Sequence, residues 1–165
     1  MNELLTLNYP YIAFSGLIAT VVMTTLMQGS LELGFSRLSM PLLVGTIFSG
    51  HRSLAVILGF TLYFLGGVLF AFIYLFLFSA IGTTHWLAGL AIGAFHGLFF
   101  LVVVLPVLPY LHPRMATEYD GPSVLRRLEP PGFMGLNYGY RTPLTTIVGH
   151  TSYGLIMSLF IPLIP

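Results

Sequence analysis

The chain has 165 residues, of which 56% are apolar and only 7% charged, with a formal net charge of +1. A water-soluble domain carries roughly 25% charged residues, so this composition, with its strongly positive mean hydropathy, excludes a soluble fold and points to a membrane protein. Cysteine is absent, which removes disulfides, thiolate metal sites and cysteine nucleophiles, and so small a net charge gives no field for nucleic-acid binding.

Met1 to Pro10 lacks the basic start of a signal peptide, and the apolar stretch behind it is longer than a signal core, so a retained first span is expected. Residues 11–31 form that span, uncharged until Glu32 and long enough at 1.5 Å per residue to cross a hydrocarbon core of about 30 Å. Ser39 to Phe48 is apolar but too short to cross, and is expected to form an interfacial or re-entrant helix. Residues 53–81 form the second span, with excess length that tilting would absorb. Gly82 to His85 alone separate it from the third span, residues 86–108, so the two should form an antiparallel hairpin; Trp86 sits at the interface and Pro106 and Pro109 loosen the far end. Residues 143–163 form the fourth span, started by Pro143. The expected fold is therefore all-α, a single domain made of a four-transmembrane-helix bundle with a short interfacial helix.

The basic residues, all arginine, set the orientation. Arg37 and Arg52 lie between spans one and two, and Arg114, Arg126, Arg127 and Arg141 lie in the long polar loop 109–142. Those connections share one side, and the other side has no arginine or lysine. The positive-inside rule then makes the long loops cytoplasmic and puts both termini outside.

Glycines recur at Gly89, Gly93 and Gly97, one face of span three, where another backbone can approach closely; the partner is another span of this chain or a second copy in a homo-oligomer. Gly16, Thr20 and Thr24 repeat the spacing in span one, which suggests that spans one and three pack together.

No Asp, Glu, Lys or Arg occupies the interior of a span, so His96 and His150 are the readily titratable groups there. An ionisable group inside the membrane is a functional candidate, although neutral imidazole also serves as a plain interhelical hydrogen-bonding group. Thr20, Thr24, Thr25, Tyr63, Thr151 and Ser152 offer partners. A haem would need level histidines on facing helices, whereas His96 should sit about 18 Å and His150 about 10 Å from the cytoplasmic ends.

The densest polar cluster, His112, Arg114, Glu118 and Asp120 with Tyr119, is a candidate divalent-ion site or, more plainly, a lipid-headgroup surface shared with Arg126, Arg127 and Arg141. A short helix over Ser123 to Leu128 would bring Arg126 and Arg127 to the phosphates. Tyr138 and Arg141 could form the lip of a pocket. No metalloprotease helix, nucleophile elbow, phosphate-binding loop or dinucleotide fingerprint is present, so enzymatic activity has no support in the sequence.

The phrases GLIATVVM (Gly16–Met23), FHGLFF around His96, HPRMA from His112 and GHTSYG around His150 together resemble an uncharacterised family of small bacterial four-span membrane proteins. The resemblance implies a bacterial inner-membrane location and a four-helix fold, and no activity. Three functional readings stand. The first is a non-enzymatic accessory module, partnered by the bilayer, a second copy or another membrane protein, or a binder of a lipid or quinone. The second is a redox or proton-handling protein using His96 and His150 with haem, metal or quinone, and the third a small oligomeric transporter. The sequence names no cofactor.

Overall fold

The computed structural model describes residues 8–117 and 121–161, and these are helical with no sheet; a lone bridge pairs Met115 with Leu128. Helix α1 is Tyr9–Glu32, α2 Met40–Phe48, α3 Arg52–Ile81, α4 Trp86–Phe99, α5 Leu105–Leu111 and α6 Thr142–Phe160, with a short 3₁₀ turn over Phe133–Tyr138. Three helices are long and apolar enough to cross a membrane: α1, α3 and the continuous run Trp86–Leu111.

The side chains are distributed as lipid contact demands. Phe76 (71% exposed), Phe95 (70%) and Leu144 (64%) point outward, while Ala19, Thr20, Ala71, Thr142 and Thr146 are sealed inside. Among helices in a bilayer, apolar surface gains nothing by leaving lipid, so the interior takes the small and hydrogen-bonding residues that let backbones close up. This is why α6 falls below the other three in apolarity. It runs between α1 and α4, and its buried face is Thr142, Thr146, Gly149, His150, Tyr153, Gly154 and Ser158 with a single methionine, Met157.

The packing partners differ from the sequence expectation. Gly89, Gly93 and Gly97 lie against α6, with a Cβ built on Gly89 falling 2.5 Å from the Gly154 oxygen and one on Gly97 3.1 Å from His150 Cβ. Gly16 of α1 meets Ala71 and Gly67 of α3 instead of span three, and Gly67 in turn holds Thr20. The helices are thus joined in the order α3, α1, α6, α4. Although the connection 82–85 is short, the backbones of α3 and α4 do not pack closely. The glycine face of α4 is turned to α6, and bulky Phe70 and Tyr74 of α3 stand against His96.

Helix α2 lies along α3 with backbones nearly touching, Gly45 against Ala55 and Gly59 against Pro41. The third long helix carries a π-turn over Phe100–Val104 and continues through Pro106 and Pro109 to Leu111, three residues past the expected end. The wider turn comes just before Pro106, where a proline removes a backbone donor and crowds the preceding carbonyl. No helix forms over Ser123–Leu128. The Ser123 N–H reaches the Arg126 oxygen at 2.9 Å, the Arg126 N–H returns to Ser123 Oγ at 3.1 Å, and the segment closes as a tight reverse turn.

Candidate functional site

His96 on α4 and His150 on α6 meet. Their ring centroids are 4.6 Å apart with the planes at 81°, an edge-to-face contact. The depth difference counted along straight, parallel helices is removed by the packing of α4 on α6, where Gly93 sits directly against the His150 backbone. None of the hydroxyls expected as partners is used. His96 Nδ1 is 3.3 Å from the Tyr74 hydroxyl, and His150 Nδ1 donates to the Thr146 carbonyl at 2.8 Å. Thr20, Thr25 and Ser152 instead donate to carbonyls of their own helices, as hydroxyls inside helices commonly do. The hydroxyls of Thr24, Ser30 and Thr146 are buried and, among the described residues, have no partner.

The two imidazoles form part of the wall of a cleft of about 260 Å³ opening where α3 and α4 stand apart. Tyr63, Gly66 and Phe70 of α3 line one side, and His96 and Phe99 of α4 the other; Met23, His150 and Tyr153 close the back and Met40 and Val44 of α2 one end. Phe70 stacks on His96 at 4.5 Å, and Phe100 on His150 at 5.4 Å. Tyr74 meets Tyr153 edge-on at 5.1 Å, and the Tyr153 hydroxyl donates to the Gly67 carbonyl at 2.6 Å. Among the described residues the Tyr63 hydroxyl has only the thioether sulfurs of Met23 and Met27, each at 4.0 Å, and sulfur is a weak acceptor. The cleft is therefore an apolar slot with a few aimed polar atoms, the usual make-up of a small-molecule site. Sequence reasoning found both histidines and Tyr63 but not Tyr74, Tyr153, Gly66 or Phe70, which look in the sequence like ordinary span residues.

The described members of the polar cluster beyond α5, His112 and Arg114, have structural tasks. His112 is 1% exposed. Its Nδ1 accepts the Arg114 N–H at 3.1 Å, so Nε2 carries the proton and donates to the Leu43 carbonyl at 3.0 Å, with Thr46 Oγ1 at 3.2 Å. Burial first, and the Arg114 guanidinium second, hold this imidazole below the usual histidine range of 6.5 against the Leu43 hydrogen bond. Arg114 donates to the Thr46 and Ile47 carbonyls at 2.6 and 2.9 Å, which satisfies the end of α2 and places a cation at its negative pole. Together these two residues bolt α2 to the end of α5.

Arg141 lies over Phe35 and Tyr140, and the Arg127 Nε donates to the Val124 carbonyl at 2.9 Å. Arg37 pairs with Glu129 at 3.1 Å and donates to the Asn137 carbonyl. The Tyr138 hydroxyl donates to the Glu129 carbonyl oxygen at 2.6 Å, and burial with the nearby Glu129 carboxylate pushes it up to about 12. Glu118, Tyr119 and Asp120 lie outside the described residues. Among the described residues no three His, Cys, Asp or Glu side chains come together as metal ligands would.

No protein-family model matches this chain, and no match was found among curated proteins or solved structures.

Proposed function

We propose that this chain is a four-span membrane protein of the bacterial inner membrane that takes a small amphipathic molecule, a lipid or a quinone, from the bilayer into the cleft between α3 and α4. The carrying observation is the cleft itself: about 260 Å³ of apolar space with two contacting imidazoles in its wall. Pockets for whole drug-sized molecules start at roughly 300 Å³, so a single ring or a length of acyl chain is the appropriate size. Three of the helices around the cleft are long and apolar enough to lie in lipid, so the natural route into it is sideways from the bilayer.

The fourth span in this reading is α6, whose 19 residues reach about 28 Å, enough to cross a thin hydrocarbon core. The arginine-bearing connections then face the cytoplasm, and the side with the turn at 82–85 faces out. Binding suits a cleft whose wall is apolar apart from two imidazoles and two tyrosine hydroxyls.

Proton handling is a second reading, favoured by the contact of His96 with both His150 and the Tyr74 hydroxyl. A haem does not fit between the histidines. Bis-histidine ligation with metal–nitrogen bonds of about 2 Å needs ring centroids roughly 6 Å apart, against the 4.6 Å found.

Gly66 supplies the test. It lines the cleft, and a Cβ added there meets nothing within 4 Å, so Gly66→Phe fills the slot without disturbing a helix contact. Wild type purified in mild detergent should carry a lipid or quinone detectable by mass spectrometry of the extract, and Gly66→Phe should carry about tenfold less at unchanged helicity. Equal carriage by the two proteins would rule out the cleft as the site.

A further inference from the structure

Taking the cleft as the ligand site, as proposed above, we infer that its ligand is a hydroxyl-bearing amphiphile, a phenol-type ring or lipid alcohol, whose O–H donates to Nε2 of His150. His150 is only 5% exposed, and the interiors of the spans hold no carboxylate to pair with a buried imidazolium, Glu32 being the end residue of α1, so the ring stands neutral. Its Nδ1 lies 2.8 Å from the Thr146 carbonyl. A carbonyl only accepts, so Nδ1 bears the proton and Nε2 is left as a lone pair on the ring edge away from its own helix. No hydrogen bond within the described residues reaches that lone pair.

The neighbouring groups sharpen the selection. The Tyr153 O–H is committed to the Gly67 carbonyl at 2.6 Å, so it has no proton to give His150. Among the described residues the Tyr63 O–H has only two thioethers at 4.0 Å, and is available to donate to a better acceptor. Both residues line the same cleft, and a ligand hydroxyl has the proton that His150 accepts and the oxygen acceptor that the Tyr63 O–H lacks. Of the ligands proposed above this selects the hydroxyl-bearing lipid, because a quinone carbonyl, an ester or an ether only accepts and would seal the cleft over an unpaired nitrogen. A site built to pair a hydroxyl discriminates against analogues lacking it, because its own polar group is then stranded.

The test compares 4-octylphenol with its methyl ether, 4-octylanisole, on wild-type protein and Gly66→Phe in lipid nanodiscs. Each probe is dosed as a mole fraction of lipid so that partitioning cancels. ¹⁵N-histidine spectra, with the His150 signals assigned through His150→Gln, report the tautomer. His150 should show an unprotonated Nε2 in the free protein, shifted by the phenol. The ether should bind at least about tenfold more weakly, and Gly66→Phe should bind neither. Equal binding of phenol and ether, both lost in Gly66→Phe, would overturn the hydroxyl requirement while leaving the cleft intact. A protonated Nε2 in free wild type would also overturn it, with no variant needed. Phenol binding that survives Gly66→Phe, or no binding of either probe, would remove the cleft as the site and the inference with it.

Discussion

His112 has the residue type and setting of a ligand and the geometry of a strut. Its sequence neighbours Arg114, Glu118 and Asp120 suggest a surface site, yet both ring nitrogens are occupied within the fold, one by the Arg114 N–H and the other by the Leu43 carbonyl. Protonation would put a hydrogen on Nδ1, facing a donor. Because its folded value lies below 6.5, the unfolded chain binds the extra proton first as pH falls, and stability is lost. The contribution is therefore complete above about pH 6.5 and declines below it. Unfolding in denaturant should show a stability difference between pH 7.5 and pH 5 that is smaller in His112→Asn than in wild type; an unchanged difference would mean that His112 does not titrate with folding. Candidate histidines were legible in the sequence because titratable groups are rare in spans, but their partners were not, since a hydrogen bond depends on which helix faces are turned together.

At the scale of elements, glycine spacing identified the close-packing face of α4 and left its partner open. The structure gives that face to α6, where Gly93 abuts the His150 backbone and Gly89 abuts Gly154. Gly93→Ala should push two backbones apart and cost about 1–3 kcal/mol, the usual range for overpacking. Gly29→Ala, where an added Cβ meets nothing within 4 Å, should be neutral or stabilise by up to about 1 kcal/mol through reduced chain entropy. Reversible unfolding in mixed micelles, followed by helical circular dichroism, separates the two, and equal effects would contradict the α4–α6 contact. The same packing explains the cleft: a helix that offers its small residues to α6 offers larger ones to α3, and two bulky faces leave a gap. The reversal at Ser123–Arg126 was illegible for another reason, since proline followed by helix-compatible residues suits a helix start and a tight turn alike.

For the whole molecule, the absence of cysteine makes the proposed orientation directly testable. A single cysteine at Ser123 should react with a membrane-impermeant maleimide only after the inner membrane is opened, whereas one at Thr84 should react in intact spheroplasts. The reverse pattern would invert the topology, and labelling of both in intact spheroplasts would place both segments on the outside. By itself the sequence determined that the chain is helical, where its long apolar helices run to within a few residues, and which polar side chains lie inside them. Each follows from local physics: a backbone in hydrocarbon must satisfy its own hydrogen bonds, and composition along one helix length reports its surroundings. Only the tertiary structure decided that α1 packs on α3 and α6 instead of α4, that α3 and α4 leave a slot, and that His96 and His150 share it. Those facts depend on the rotation and tilt of each helix, which many weak contacts settle jointly and no single stretch of sequence encodes.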